Sequence, residues 1–403
     1  MIALQKKQEI FMNNTAGIRG RKLIVAVSYI TIGILGCYLS FYQYILLNIS
    51  QLFLLDAAMV GLLIAMHSIG ISLPPIFLGP LCAKIGKKRL LGISYAMMIG
   101  GAVFAGFVQN FAGFIICVLV IGAGFSVTEG TLSAVLSDEY PDESTRHINF
   151  SQVAFSAGAM AGPFIAQGLI GTGVYFKDLF FYAAAVFLVL AVLFAFTRHQ
   201  NDRGLEPLEK GPFYAVRFLS SRIFLLLALS IFIYVGLENT ISSFSDSYFE
   251  LQLGIPALSA VALSLFWGAM IPSRFLAGLL KTDRKKLFIR LSILAIAAVA
   301  ATMAVPDPTA KIILFAVCGF GCGPLWPLLM DSVAQKTKGS TGPALNMMMA
   351  FSGFGGAAVP FIAGLVVLGF GVEAAAYYLS AVLGIAMLAL FILSYKKESQ
   401  KTP

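Results

Sequence analysis

Apolar stretches of about 20 residues recur along this chain, and a helix of about that length spans the ~30 Å hydrocarbon layer of a bilayer. In such a layer every backbone amide must find its partner within the protein, which leaves helix bundles or closed barrels. Reading apolar runs between polar breaks predicts twelve spans: 23–47, 57–82, 90–109, 112–136, 148–171, 178–197, 221–247, 256–280, 287–304, 309–333, 341–368 and 372–395. Several interiors hold proline (Pro74, Pro75, Pro163, Pro272, Pro324, Pro327, Pro360), which membrane helices tolerate. Only 12% of the 403 residues are charged, against about 25% in soluble domains. A disordered chain, a disulfide-stapled module and an ordinary soluble enzyme are thereby excluded. The net charge of +9 reads as a basic membrane face, so no nucleic-acid partner is expected.

The basic residues give the orientation. If both termini are cytoplasmic, the inside segments carry 25 of the 28 Lys and Arg; the outside loops keep only Lys177 and Lys311, and Arg274 lies within a span. A miscounted span would scramble that alternation. The first apolar run, Leu23 to Leu47, is too long for a signal-peptide core and is expected to stay as the first helix of a cell-membrane protein. The five cysteines fall in or beside apolar runs with no Cys-x-x-Cys pair. Neither a disulfide nor a metal site is expected.

The polar, basic stretch from Arg198 to about Arg222 divides the spans six and six. A repeat crosses it. Asn149 precedes Pro163-Phe164-Ile165-Ala166 by 14 residues, and Asn346 precedes Pro360-Phe361-Ile362-Ala363 by the same 14, at an offset of 197. That offset sets Gly122 on Gly319, Gly124 on Gly321 and Glu129 on Trp326, while Lys87-Lys88 match Lys285-Lys286 at 198. The expected organisation is a six-helix bundle over 1–197, a cytoplasmic linker over 198–220 and a second bundle over 221–403. Parallel repeats in a membrane predict a solute site at mid-depth between the halves.

The loop after the second span, Gly79-Pro80-Leu81-Cys82-Ala83-Lys84-Ile85-Gly86-Lys87-Lys88, resembles the major facilitator signature Gly-x-Leu-Ala-Asp-Arg-x-Gly-Arg-Lys, with Ala83 in place of the acid. The resemblance implies the two-bundle, twelve-helix fold of that superfamily, with Lys84, Gly86 and Lys87 as gate residues; Arg274, about two turns from the next basic loop, is a further gate candidate. Within the superfamily, the stretch from Gly122 to Gly130, the Asn149-Phe150-Ser151-Gln152 segment, Tyr234-Val235-Gly236 and Arg274-Phe275 are similar to the fucose/galactose/glucose proton symporters. That likeness implies a functional Glu129 and a sugar contact at Asn149. Gln43 stands where that subfamily has a first-helix Asp, so a two-carboxylate coupling scheme does not transfer whole.

Charged side chains inside a bilayer cost at least about 2.5–3.5 kcal/mol each at a helix centre, so survivors are functional candidates. Glu129 shares a small polar face with Gly122, Ser126 and Ser133 and is the expected proton carrier; a structural, hydrogen-bonded Glu is the alternative. Asn149, Gln152 and Ser156 line one face of the fifth span, suited to hydroxyls or to interhelical bonds. In the seventh span Glu238, Ser242 and Ser245 form a stripe; Glu238 is expected to line an outward cavity as a second proton-coupling carboxyl, with a structural, hydrogen-bonded Glu as the alternative, and Asp246 and Glu250 are expected to be solvated. His67 reads chiefly as a packing residue, and Arg274 chiefly as snorkelling to the cytoplasmic surface. Tyr38, Tyr42, Trp267 and Trp326 offer rings for a sugar face, with Gln43 and Asn346 as further polar candidates.

No Walker, His-x-x-x-His or nucleophile-elbow context is present, so neither an enzyme nor an ATP-driven pump is expected, and no cofactor. The expected function is secondary transport of a small polar solute, a monosaccharide by preference, with proton symport by alternating access. Drug or metabolite efflux by proton antiport and a non-transporting membrane sensor are the alternatives. A monomer is expected.

Overall fold

A computed structural model of the chain describes residues 2–77, 85–140, 143–197, 218–279, 282–337 and 341–396. Among the described residues twelve helices are long and apolar enough to cross a membrane: Lys22–Tyr44, Ala57–Phe77, Lys87–Phe107, Phe111–Glu139, Arg146–Gly171, Asp178–Ala195, Arg222–Ser243, Pro256–Leu279, Arg284–Ala304, Pro308–Lys336, Ala344–Phe370 and Tyr377–Tyr395. They are numbered as spans one to twelve. Where the described residues run on past the boundary, the largest departure from the sequence reading is four residues, at the end of span seven. Among the described residues there is no β-strand. The expected linker falls mostly outside the described residues, as do Lys84 and Cys82.

The repeat is written into the helix ends. The Asn110 side chain accepts from Gly113 N at 2.7 Å and starts span four; 197 residues on, Asp307 accepts from Ala310 N at 2.7 Å and starts span ten. Each cap satisfies an amide that the first turn leaves unpaired. Spans three and nine stop at Val108 and Val305, again 197 apart, where the backbone turns extended. A buried lysine tends each of these C-terminal ends: Lys177 donates to Val108 O, and Lys311 to Thr302 O at 2.7 Å. Cations there offset the negative pole of a helix.

Spans one and seven break at related points. Span one turns at Ile45 and continues as Leu46–Phe53; span seven turns at Phe244, 199 residues later, and continues as Ser245–Ser247 and a π turn, Tyr248–Gln252. Expected as one helix over 221–247, this segment is thus a helix with a bent strap.

Packing also repeats. Span one lies against span five, and span seven against span eleven. The axes come close because the contact positions are glycine. A Cβ at Gly158 would fall onto the Gly33 carbonyl, and one at Gly355, 197 further on, onto that of Phe232. Two seams then join the bundles, span two against eleven and span five against eight.

At the end of the molecule that carries the basic loops, Lys87 ion-pairs with Asp138, tying the start of span three to the end of span four. Arg284, the first residue of span nine as Lys87 is of span three, pairs with Asp331 on span ten. Gly86, which precedes span three, holds φ at +81°, a conformation that favours glycine.

Candidate functional site

A cavity of about 140 Å³ lies between the bundles, lined from spans one, two, four, five, seven, eight, ten and eleven. The first bundle contributes Glu129, half-buried on span four, with Gln152 Nε2 of span five donating to its Oε1 at 3.3 Å. Ser126, one turn away on the face shared with Glu129, is also on the wall. His67 of span two stands there against the Tyr42 ring, centroids 4.9 Å apart. Two buried atoms of this wall, His67 Nε2 and Ser126 Oγ, have no hydrogen-bond partner. Such orphans are uncommon and mark strained or functional places.

The second bundle answers with Glu238 on span seven. The Tyr234 hydroxyl, one turn back, lies 2.8 Å from Glu238 Oε1 and 2.9 Å from the Cys322 carbonyl of span ten. A phenol has one proton to give and here meets two acceptors. A neutral Glu238 that itself donates to Tyr234 would satisfy all three groups. Asn239, beside it, donates across the interface to Ser68 Oγ at 3.4 Å.

Arg274 corrects the sequence reading. Its guanidinium does not snorkel outward; it faces the cavity and crosses to neighbouring spans. Nε donates to Gly323 O at 2.9 Å on span ten, and Nη1 to Gln152 O at 3.0 Å and to Ser156 Oγ on span five. All these acceptors are neutral. The charge is close enough to act electrostatically on Glu129 and Glu238, yet Arg274 ion-pairs with neither among the described residues. Two carboxyls and one cation therefore share one cavity without being tied together.

The side away from the basic loops is shut by Gln43, just before the span-one break. Its Nε2 donates to Ser242 Oγ at 2.9 Å, and its Oε1 accepts from Trp267 Nε1 at 3.3 Å. The Phe155 ring stands edge-on to Trp267 at 6.1 Å, and Trp326 completes the aromatic lining.

Of the sequence candidates, Glu129, Glu238, Gln43, Tyr42, Gln152, Trp267, Trp326 and Arg274 meet in this cavity. Tyr38 does not: it is buried behind the wall, stacked on Tyr42 and enclosed by Phe41, Phe125 and Phe187. Asn346 lies one turn from Met349 on span eleven, towards the basic end and beyond the lining. The Asn149 side chain and Lys84 fall outside the described residues. Lys87 is held by Asp138, away from the cavity. His67, read as packing, both packs and lines. Asp246, expected in solvent, is 3% exposed. Its signal was available: it extends the Glu238–Ser242 stripe by one more turn.

A bundle of twelve membrane helices enclosing a polar cavity between two related halves defines a multi-pass membrane transporter. The Major Facilitator Superfamily profile matches residues 23–341 and 281–403, and the chain belongs to that superfamily. Its fold is similar to the crystal structure of the nucleoside transporter NupG, with a TM-score of 0.75 at 14% identity over 94% of this chain and 100% of that one. It is also similar to the E. coli fucose:proton symporter FucP, with a TM-score of 0.69 at 17% identity over 92% of this chain and 98% of that one. No curated protein matches the chain significantly by sequence.

Proposed function

We propose that the protein is a proton-coupled secondary transporter that takes up a small polar solute, a monosaccharide by preference. The carrying observation is the meeting, in one cavity fed by both bundles, of Glu129 and Glu238 with Arg274, the Gln43, Gln152 and Asn239 amides and the Trp267 and Trp326 rings. Amides and carboxyls suit hydroxyls, and indole faces suit the apolar side of a sugar ring. The likeness in fold to a fucose:proton symporter supports the same solute class.

In this reading Glu129 gains and loses the coupling proton, Glu238 is a second exchangeable carboxyl, and Gln43, Tyr42, Gln152, Trp267 and Trp326 hold the solute. The basic end faces the cytoplasm, with both termini, by the distribution of Lys and Arg. Closure by Gln43 then seals the outer side, and rocking of one bundle against the other exposes the cavity to each side in turn. The two bundles correspond to 1–197 and 221–403.

Thermal stabilisation of the purified protein by a panel of hexoses and common efflux substrates tests the solute class. Hexoses are expected to stabilise it; stabilisation by efflux substrates alone would overturn the sugar reading in favour of antiport. Counterflow in proteoliposomes tests the coupling. Glu129→Gln is expected to keep solute exchange and to lose accumulation driven by a pH gradient. A variant that still accumulates solute removes Glu129 from the proton path. Solute binding with no counterflow in the wild type would make the protein a sensor.

A further inference from the structure

The strap that follows the span-seven break holds a carboxyl that the transport scheme above does not use. Asp246 lies one turn past Ser242, on the sealed side of the cavity and beyond Ser243, where span seven ends. It is 3% exposed, and its Oδ1 has no hydrogen-bond partner. A buried ionised carboxylate needs a cation or several donors to offset lost hydration. Asp246 has neither.

Its surroundings come from both bundles. The Ser259 hydroxyl, at the start of span eight, faces the carboxyl and also the phenol of Tyr44, the last residue of span one. Glu250, on the same strap, adds a like charge. Tyr248 lies in the π turn, where Lys311 holds its hydroxyl at 2.8 Å, and Glu238 lies two turns back on span seven. The helix Leu46–Phe53, which packs on the strap, carries no titratable side chain. Among the described residues no Lys or Arg acts on Asp246. Burial, raised further by Glu250 and opposed by Ser259, pushes the carboxyl up to about 7.

We propose that Asp246 is a proton-binding site built into the Gln43–Ser242 seam, neutral while the seam is closed and ionised once it opens. In the closed seam the proton sits on a dry carboxyl between Ser259 and Tyr44. When the bundles part on this side, water reaches Asp246, the O–H electron pair stays on the carboxylate and the proton passes to that water. The inference rests on alternating access, because it requires this seam to open, but on neither the solute nor Glu129.

The sign follows from linkage. The closed state holds the proton up to about pH 7, whereas a hydrated Asp loses it near 3.9. Closed and open populations are therefore insensitive to pH below about 4. Between there and about 7 the ratio shifts tenfold per pH unit towards open, and above that it levels off.

The chain supplies its own reporter. It has two tryptophans, and one of them, Trp267, is hydrogen-bonded to Gln43 in the seam. In a Trp326→Phe background, solute-free protein in nanodiscs is titrated from pH 4.5 to 8.5 while Trp267 emission is followed. Opening hydrates the indole, so a red shift that grows with pH and then levels off is expected. Asp246→Asn, which imitates the protonated acid, is expected to keep the blue emission throughout. Ser259→Ala, which removes a group that favours the carboxylate, is expected to move the upper plateau to higher pH.

A flat wild-type titration overturns the proposal, as does one that persists unchanged in Asp246→Asn. Because Ser259→Ala tests the same group without touching the acid, an unmoved plateau in that variant also counts against it, even should Asp246→Asn fail to fold. Replacing KCl with NaCl at pH 8 separates a proton from a metal cation, and emission that responds to sodium alone makes the site a cation site instead. Failed hexose counterflow alongside an intact titration would sink only the sugar reading.

Discussion

Gln43 and Ser242 are hydrogen-bonded at 2.9 Å and stand 199 residues apart, the same spacing that relates the helix breaks at Ile45 and Phe244. They are repeat counterparts touching one another. In a pseudo-symmetric pair of bundles a residue meets its own counterpart only near the axis that relates the halves, as at an isologous interface. The seam on this side therefore closes on the axis itself, through a neutral amide and a hydroxyl.

Removing that amide should loosen the seam. Gln43→Ala deletes the bonds to both Ser242 and Trp267, each contributing about 1 kcal/mol net. A shift of roughly ten- to thirtyfold towards the open seam is expected. Labelling of a single cysteine placed at Ser245, in a background without other cysteines, by an impermeant maleimide applied to the face away from the basic loops measures it. Unchanged labelling would mean the seam is held elsewhere.

Arg274 should not tolerate lysine. Its planar head reaches acceptors on spans five and ten at once, which a single ammonium cannot do in the same geometry. Both Arg274→Lys and Arg274→Gln are expected to lower stability by about 2–3 kcal/mol and to abolish counterflow. Thermal unfolding with parallel transport assays checks this, and full activity in the lysine variant would refute it.

The two ion pairs at the basic end should differ in strength although each tethers the first residue of a span to the span that follows. Lys87 and Asp138 have side chains 4% and 24% exposed, against 56% and 29% for Arg284 and Asp331. Double-mutant cycles in thermal stability are expected to give a coupling of about 1–3 kcal/mol for the first pair and under about 1 kcal/mol for the second. The reverse order would argue that exposure does not govern them.

Within the spans, glycine matters where helices touch. Gly158→Ala drives a methyl group onto the Gly33 carbonyl and should cost about 1–3 kcal/mol. At Gly92 nothing lies within 4 Å of an added Cβ, and alanine there should stabilise the helix by up to about 1 kcal/mol. Equal melting shifts for the two variants would contradict the close approach of spans one and five.

The spans and the repeat were legible in sequence because hydropathy and the alternation of Lys and Arg report depth along the bilayer normal. Asn110 and Asp307 even show the offset of 197 in their caps. Direction around each helix was harder. Tyr38 and Tyr42 share a face one turn apart on span one, yet only Tyr42 reaches the cavity, because Phe41, Phe125 and Phe187 enclose Tyr38. Arg274 was read by its distance from the basic loop, whereas its acceptors, Gln152 and Gly323, come from spans far away in sequence. Asp246 was misread because a straight helix would have carried it into solvent. The turn at Phe244 folds it back into protein.

The opposite ends of the molecule are fastened by unlike chemistry, uncharged side chains at one and the Lys87–Asp138 and Arg284–Asp331 pairs at the other. Ionic strength weakens the second kind and barely touches the first. Added electrolyte should therefore loosen the start of span nine from span ten, where Arg284 is 56% exposed, and leave the Gln43–Ser242 contact between the bundles unmoved.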